Sequence, residues 1–155
     1  MKKTVVLHSN HSRIFTGFGK NMKNVLLYLH KTGKYNLIEF ANTKHKDAPE
    51  LQTLPWKAVG TLPDQAQLAQ IQSDQNKLRT ATYGHYEIDN LIKEHKPDFY
   101  IGIEDIWALS PLVEKKWWNK NCMIWTTLDS TPLYHEAIKI IPKVNHYYAW
   151  ASFAG

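Results

Sequence analysis

Thr4-Val5-Val6-Leu7-His8-Ser9-Asn10-His11-Ser12-Arg13-Ile14-Phe15-Thr16-Gly17-Phe18-Gly19-Lys20, running on through Asn21 to Gly33, is the stretch that decides the fold. Val5, Val6 and Leu7 form a continuous run of β-formers, the pattern of a strand buried on both faces. From Gly19 onward Met22, Val25, Leu26 and Leu29 fall at i, i+3, i+4 and i+7, which draws one apolar stripe along a helix. Gly33 stands where a helix C-cap belongs, after Lys31 in the last turn. A strand, a loop holding two glycines and a helix make the first half of a βαβ unit. Such a unit sets backbone N–H groups and a helix N-terminus at the carboxyl edge of a sheet, where open α/β sheets bind ligands.

The same alternation continues along the chain. Strands are predicted at Asn36–Ala41, Trp56–Leu62, Asp98–Ile103, Cys122–Thr127 and His146–Trp150. Helical patterns are predicted over Asp64–Leu78, with a break near Ser73-Asp74, and over Gly84–His95, stopped by Lys96-Pro97. Shorter ones are predicted at Leu112–Asn119 and Leu133–Ile141, while polar Asn42–Thr53 reads as a surface loop. The expectation is an α/β fold, a Rossmann-like parallel sheet flanked by helices, with residues 1–155 forming a single domain.

Composition narrows the classes. At 155 residues the chain is long enough to bury about 70% of the surface its unfolded form exposes. No apolar run approaches the ~20 residues of a membrane span, and the apolar run after Met1-Lys2-Lys3 is too short for a signal peptide. With Cys122 as the one cysteine, an internal disulfide is excluded and a reducing, cytoplasmic setting is expected. The net charge of +5 is dispersed rather than run together, so nucleic acid is not the expected partner. Six Trp and eight Tyr are many for one domain. Trp117 and Trp118 would point ~100° apart on a helix, so one of them is expected to cover an interface or groove.

Several motifs fail. A Walker A loop needs Gly where Ile14 stands and Ser or Thr where Asn21 stands. The dinucleotide fingerprint needs Gly at Met22 and a tight turn directly after the strand. No nucleophile elbow surrounds Ser9 or Ser12, and the eight histidines, without metal-site spacing, read as solvated or helix-surface residues. No metal is expected. Two features survive. Gly17 and Gly19 either admit a ligand to the backbone or serve helix–sheet packing. Glu104, Asp105 and Asp129 follow buried strands, and either converge on a site or cap the following turns.

The order of these elements resembles the N-terminal half of a GT-B glycosyltransferase, and is most similar to glycosyltransferase family 4 in its bacterial and phage form. The resemblance rests on Thr16-Gly17-Phe18-Gly19, on Lys96 to Ile103 before the acidic loop, on Ile124-Trp125-Thr126-Thr127-Leu128-Asp129, and on Tyr148 to Ala154. It implies a retaining transfer of a sugar from a nucleotide-diphosphate sugar to the hydroxyl of a glycan or other acceptor, with no cofactor. It places Asp105 and Asp129 among catalytic groups and Thr16, Gly17, Phe18, Gly19 and Glu104 around substrate or donor. Asp105 is a departure, since many members carry a His near that place. The resemblance also implies a C-terminal donor-binding domain as partner, a chain inactive on its own, and specificity in loops such as Asn42–Thr53. The alternative expectation is a non-catalytic α/β ligand-binding or interaction domain.

Overall fold

The computed structural model describes residues 1–127 and 132–150. Six strands form one parallel sheet in the order β3-β2-β1-β4-β5-β6, comprising β1 (Lys3–Asn10), β2 (Tyr35–His45), β3 (Lys57–Leu62), β4 (Phe99–Ile103), β5 (Cys122–Thr126) and β6 (His146–Ala149). The helices are α1 (Gly17–Thr32), α2 (Gln65–Ile71), α3 (Gln75–Thr82), α4 (Ile88–His95), α5 (Ile106–Leu109) and α6 (His135–Ile140). The arrangement is Rossmann-like and single-domain, as the alternation of patterns predicts. Strand order reverses direction between β1 and β4, so the two connections leaving those strands diverge and open a crevice at their carboxyl ends.

Period-two alternation sorts the core. On one face Val5, Leu7, Leu37 and Ile103 meet Met22 and Leu26 of α1. Met22 and Leu26 are fully buried, each contributing about 1.5–3 kcal/mol of transfer free energy. On the other face Val6, Ile38, Phe40, Tyr100 and Ile124 meet α4, α5 and α6 through Ile88, Leu91, Ile106, Leu109 and Ile140. Asp98 fixes the register of the central pair, accepting from the Thr4 amide at 2.8 Å and from Lys3 Nζ at 2.9 Å.

Helix ends follow their residues. Thr16 caps α1 by accepting from the Gly19 amide, and Gly33 ends it in the left-handed region at φ 64°. Asp64 caps α2 and Asp74 caps α3, which accounts for the break near Ser73-Asp74. Pro97 disfavours right-handed helical geometry at Lys96, which closes α4 at φ 42°.

Four expectations need correction. Asn42–Thr53 is not simply a surface loop: β2 continues to His45, Asn42 is fully buried, and a 3-10 turn at Pro49–Thr53 buries Leu51. Leu112–Asn119 is not helical; a 3-10 turn at Ser110–Glu114 gives way to irregular chain. Freed from helical spacing, both Trp117 and Trp118 lie against Tyr100, with ring centroids 5.3 and 5.8 Å away, so both face one core. His8 and His11 are not solvated but 1% exposed.

The two loop glycines differ. A Cβ at Gly19 would collide with the Ile14 carbonyl oxygen, whereas one at Gly17 meets nothing within 4 Å. Gly19→Ala is therefore expected to lower stability by about 1–3 kcal/mol through forced backbone movement. Gly17→Ala is expected to raise it by up to about 1 kcal/mol. Urea denaturation of the two variants, followed by circular dichroism, checks this.

Candidate functional site at the carboxyl edge

The helix N-terminus forms the first wall of the crevice. Thr16 Oγ1 accepts from the Gly19 amide at 3.0 Å and from Asn10 Nδ2 at 3.2 Å. The amides of Gly17 and Phe18 have no acceptor among the described residues. They begin a 16-residue helix with no acidic residue in its first turn, a setting that favours an anion. The Phe18 side chain turns away to pack edge-on against Trp150, with centroids 4.9 Å apart, so only its backbone is available here.

A buried polar chain crosses the sheet beneath the crevice. Val6 and His8 on β1, Phe40 and Asn42 on β2, and Tyr100 and Glu104 on or just after β4 share one face by alternation. Tyr100 Oη lies 2.7 Å from His8 Nδ1, His8 Nε2 lies 2.9 Å from Asn42 Oδ1, and Asn42 Nδ2 donates to Glu104 Oε2 at 3.0 Å. Asn42 Oδ1 only accepts, so His8 carries its proton on Nε2, and Nδ1 accepts from the tyrosine hydroxyl. Burial drives the His8 pKa down to about 3, against the hydrogen bond from its ring to Asn42. The imidazole is therefore neutral at neutral pH. Gly102 supplies the room, since a Cβ there would press on Leu109 and come within 3.2 Å of the Tyr100 hydroxyl.

Glu104 is 3% exposed and closes this chain. Burial raises its pKa to about 7, with the neighbouring Asp105 charge acting in the same direction and hydrogen bonds from the Asp105 amide and Asn42 opposing it. Asp105 occupies the N-cap position of α5 without making a capping hydrogen bond. Its carboxylate instead accepts from Thr127 Oγ1 at 3.1 Å, joining the ends of β4 and β5. The capping reading of Asp105 is thereby set aside. Beside the two carboxyls stand Tyr83 and Trp107, with centroids 4.8 Å apart, and the Arg79 guanidinium lies 3.9 Å from the Trp107 ring centroid. Burial raises the Tyr83 pKa, and the charges of Glu104 and Asp105 push it further up against Arg79.

A second carboxylate anchors the loop leading into α1. Glu39 on β2 faces the α1 side, where Oε1 accepts from the Ser12 amide at 2.8 Å and pairs with His11 Nδ1 at 2.8 Å. Its Oε2 accepts from Ser12 Oγ at 2.9 Å and from Trp56 Nε1 at 2.7 Å. Burial alone would raise its pKa, but these partners together bring it below the usual carboxylate value.

The structure thus brings Thr16, Gly17, Glu104 and Asp105 to one edge, assigns Gly19 to packing and leaves only the backbone of Phe18 available. Asp129 lies outside the described residues. Asn42, Tyr83 and Tyr100 join this edge without having been singled out in the sequence, and His8 joins it although it was read there as a solvated histidine. The available signal was a polar residue continuing an apolar face in steps of two, as His8 does after Val6 and Asn42 after Phe40.

His8 and Glu104 oppose each other in pH. The lowered His8 pKa stabilises the fold fully above about 6.5 and loses that contribution as pH falls toward 3. The raised Glu104 pKa stabilises fully below about 4.5 and loses its contribution as pH rises through 7. Between pH 5 and 6.5 the two slopes nearly cancel. Glu104→Gln, which keeps an acceptor for Asn42, is expected to gain about 2 kcal/mol more stability than wild type over that interval. Urea melts across the pH series read the difference.

No protein-family model matches the chain, and no curated protein matches it, so the reading of this edge rests on its own chemistry.

Proposed function

We propose that the chain is the N-terminal half-site of a retaining glycosyltransferase that moves a sugar from a nucleotide diphosphate to an acceptor hydroxyl. The observation that carries this is the convergence, at the β1/β4 crevice, of a helix N-terminus whose first amides lack acceptors with two adjacent carboxyls, Glu104 buried and Asp105 held by Thr127. The free amides of Gly17 and Phe18 suit the diphosphate, whose negative charge grows as the glycosidic oxygen departs. Gly17, with open space where a side chain would stand, allows close approach to the backbone.

In this reading Asp105, held by Thr127, stays beside the reacting sugar and balances positive charge developing at its anomeric carbon. Glu104, titrating near neutrality, can hold or release a proton at working pH. Tyr83 and Trp107, packed edge-on to each other, supply an aromatic wall for the sugar in this reading. Asp129 keeps the catalytic assignment that the family resemblance implies. The donor's nucleoside is contacted by a C-terminal domain in this scheme, so binding to this chain alone is weak and turnover is low.

Amide shifts in a 15N-labelled sample, titrated with UDP-glucose, GDP-mannose and their relatives, test the reading. The expected result is movement confined to Thr16–Lys20 and Asp105, and loss of roughly tenfold or more in affinity in Gly17→Leu with a melting temperature no lower than wild type. Absence of any shift at these amides across the panel would favour the non-catalytic alternative.

A further inference from the structure

All six strands start at the sheet edge opposite the crevice, because every pairing is parallel. A lysine stands at, or within three residues before, the first residue of each strand: Lys3, Lys34, Lys57, Lys96, Lys120 and Lys143. Charge dispersed along the sequence is thus gathered by the topology. The carboxyl ends carry acids instead, with Asp47, Asp64, Glu104 and Asp105 following β2, β3 and β4. We propose that the amino edge is a docking surface for single-stranded nucleic acid, its phosphates meeting the lysines while bases stack on Phe99 and Tyr148. The inference does not depend on the sugar-transfer reading, which concerns the other edge.

Three adjoining recesses shape this edge. The first, of about 400 Å³, runs past Lys2, His30, Tyr35 and Lys57 at the starts of β1, β2 and β3. Tyr35 also borders the second, of about 340 Å³, where Phe99, Ile101, Met123, His146 and Tyr148 line β4, β5 and β6. Phe99 and Asn121 border in turn a third, of about 400 Å³, which holds Lys96 and Lys116. With strands about 4.8 Å apart, the row spans about 24 Å, room for several nucleotides. Phe99 pairs with Val5 and Tyr148 with Trp125, which puts both on the face that carries α1. The helix packs on β1 and β2, so no described helix covers Phe99 and Tyr148. These two residues stay 38% and 49% exposed although they line a hollow.

The charge balance of the edge is one-sided. Asp98 is committed to the Thr4 amide and to Lys3, and Asp89 to Lys115. Glu94 lies 3.8 Å from Lys57 and 3.3 Å from His95, and Glu114 pairs with Lys143. Lys2, Lys34, Lys96, Lys116 and Lys120 form no ion pair among the described residues. This surplus repels a second copy of the same edge and attracts a polyanion. A bilayer needs apolar groups that project into it, whereas Phe99 and Tyr148 line a recess. An unpaired base can enter that recess and stack, and Asn121 and His146 in the same lining offer polar groups to its edge.

Fluorescence anisotropy of the intact chain with a labelled oligothymidylate of about twelve nucleotides tests this. Affinity is expected to fall steeply between about 50 and 200 mM salt, and the slope of log affinity against log salt to shrink by about 1 in Lys96→Gln with Lys116→Gln. Tyr148→Ala, and Phe99→Ala if circular dichroism shows it folded, are expected to weaken binding about fivefold or more at an unchanged slope. The annealed duplex and inorganic polyphosphate are expected to bind more weakly than the single strand. No binding at low salt, an unchanged slope in the lysine variant, or unchanged affinity in Tyr148→Ala would overturn the proposal. So would equal affinity for polyphosphate or a preference for phosphatidylserine vesicles. Amide movement at Thr16–Lys20 under sugar nucleotides is read at the opposite edge, so either reading can fail without the other.

Discussion

The carboxyl edge depends on the two-sided amide of Asn42. Its oxygen takes the proton of His8 on β1, and its nitrogen gives one to Glu104 at the end of β4, so a single side chain on β2 spans three strands. The network is satisfied from Tyr100 to Glu104 only while the imidazole is neutral, and burial keeps it so. In a low-dielectric interior, removal of one member strands its neighbours with desolvated polar atoms, which costs more than the bond itself contributes. Asn42 reaches this position by regular alternation after Ile38 and Phe40, in register with Asn10 of β1, and the strand leaves ideal geometry only after it, at Thr43.

The fold was legible because its signals are short-range. Val5-Val6-Leu7, the α1 stripe and Gly33 each specify local structure, and their alternation leaves a parallel sheet as the consistent solution. The convergence of Gly17 and Asp105 on one edge follows from that topology alone. The buried polar chain was legible only as a placement, since steps of two carry the apolar face from Val6 to His8 and from Phe40 to Asn42, while nothing local names partners 92 and 62 positions away. The same blindness explains the tryptophan pair. A helix was expected from residue pattern at Leu112–Asn119, but a 3-10 turn runs from Ser110 through Pro111 to Glu114 and the chain then leaves helical geometry, delivering both indoles to Tyr100.

The two loop glycines show why a motif alone does not assign a role. Gly17 and Gly19 sit two residues apart and look equivalent in the sequence, yet the Ile14 carbonyl fills the space beside one and nothing fills the space beside the other. Packing demands Gly19, and packing is indifferent to Gly17. A glycine that packing does not require, at a helix start with free amides, is where an incoming anion gains most from a missing side chain.

Glu39 and Glu104 carry the argument one step further. Both are almost fully buried carboxyls on the same sheet, and desolvation pushes both toward the protonated form. They part company by the donors around them. Glu39 has Ser12 twice, His11 and Trp56, and is held as a carboxylate below its ordinary pKa. Glu104 has one amide nitrogen of Asn42, a longer contact to the Asp105 backbone and a negative neighbour, and titrates near 7. The first is a fixed charge that pins the loop ahead of α1, and with it the direction in which the helix N-terminus points. The second is a carboxyl left close to balance at the crevice itself. Divergent environments set like groups apart in charge, and here the division falls along the line between loop anchor and crevice.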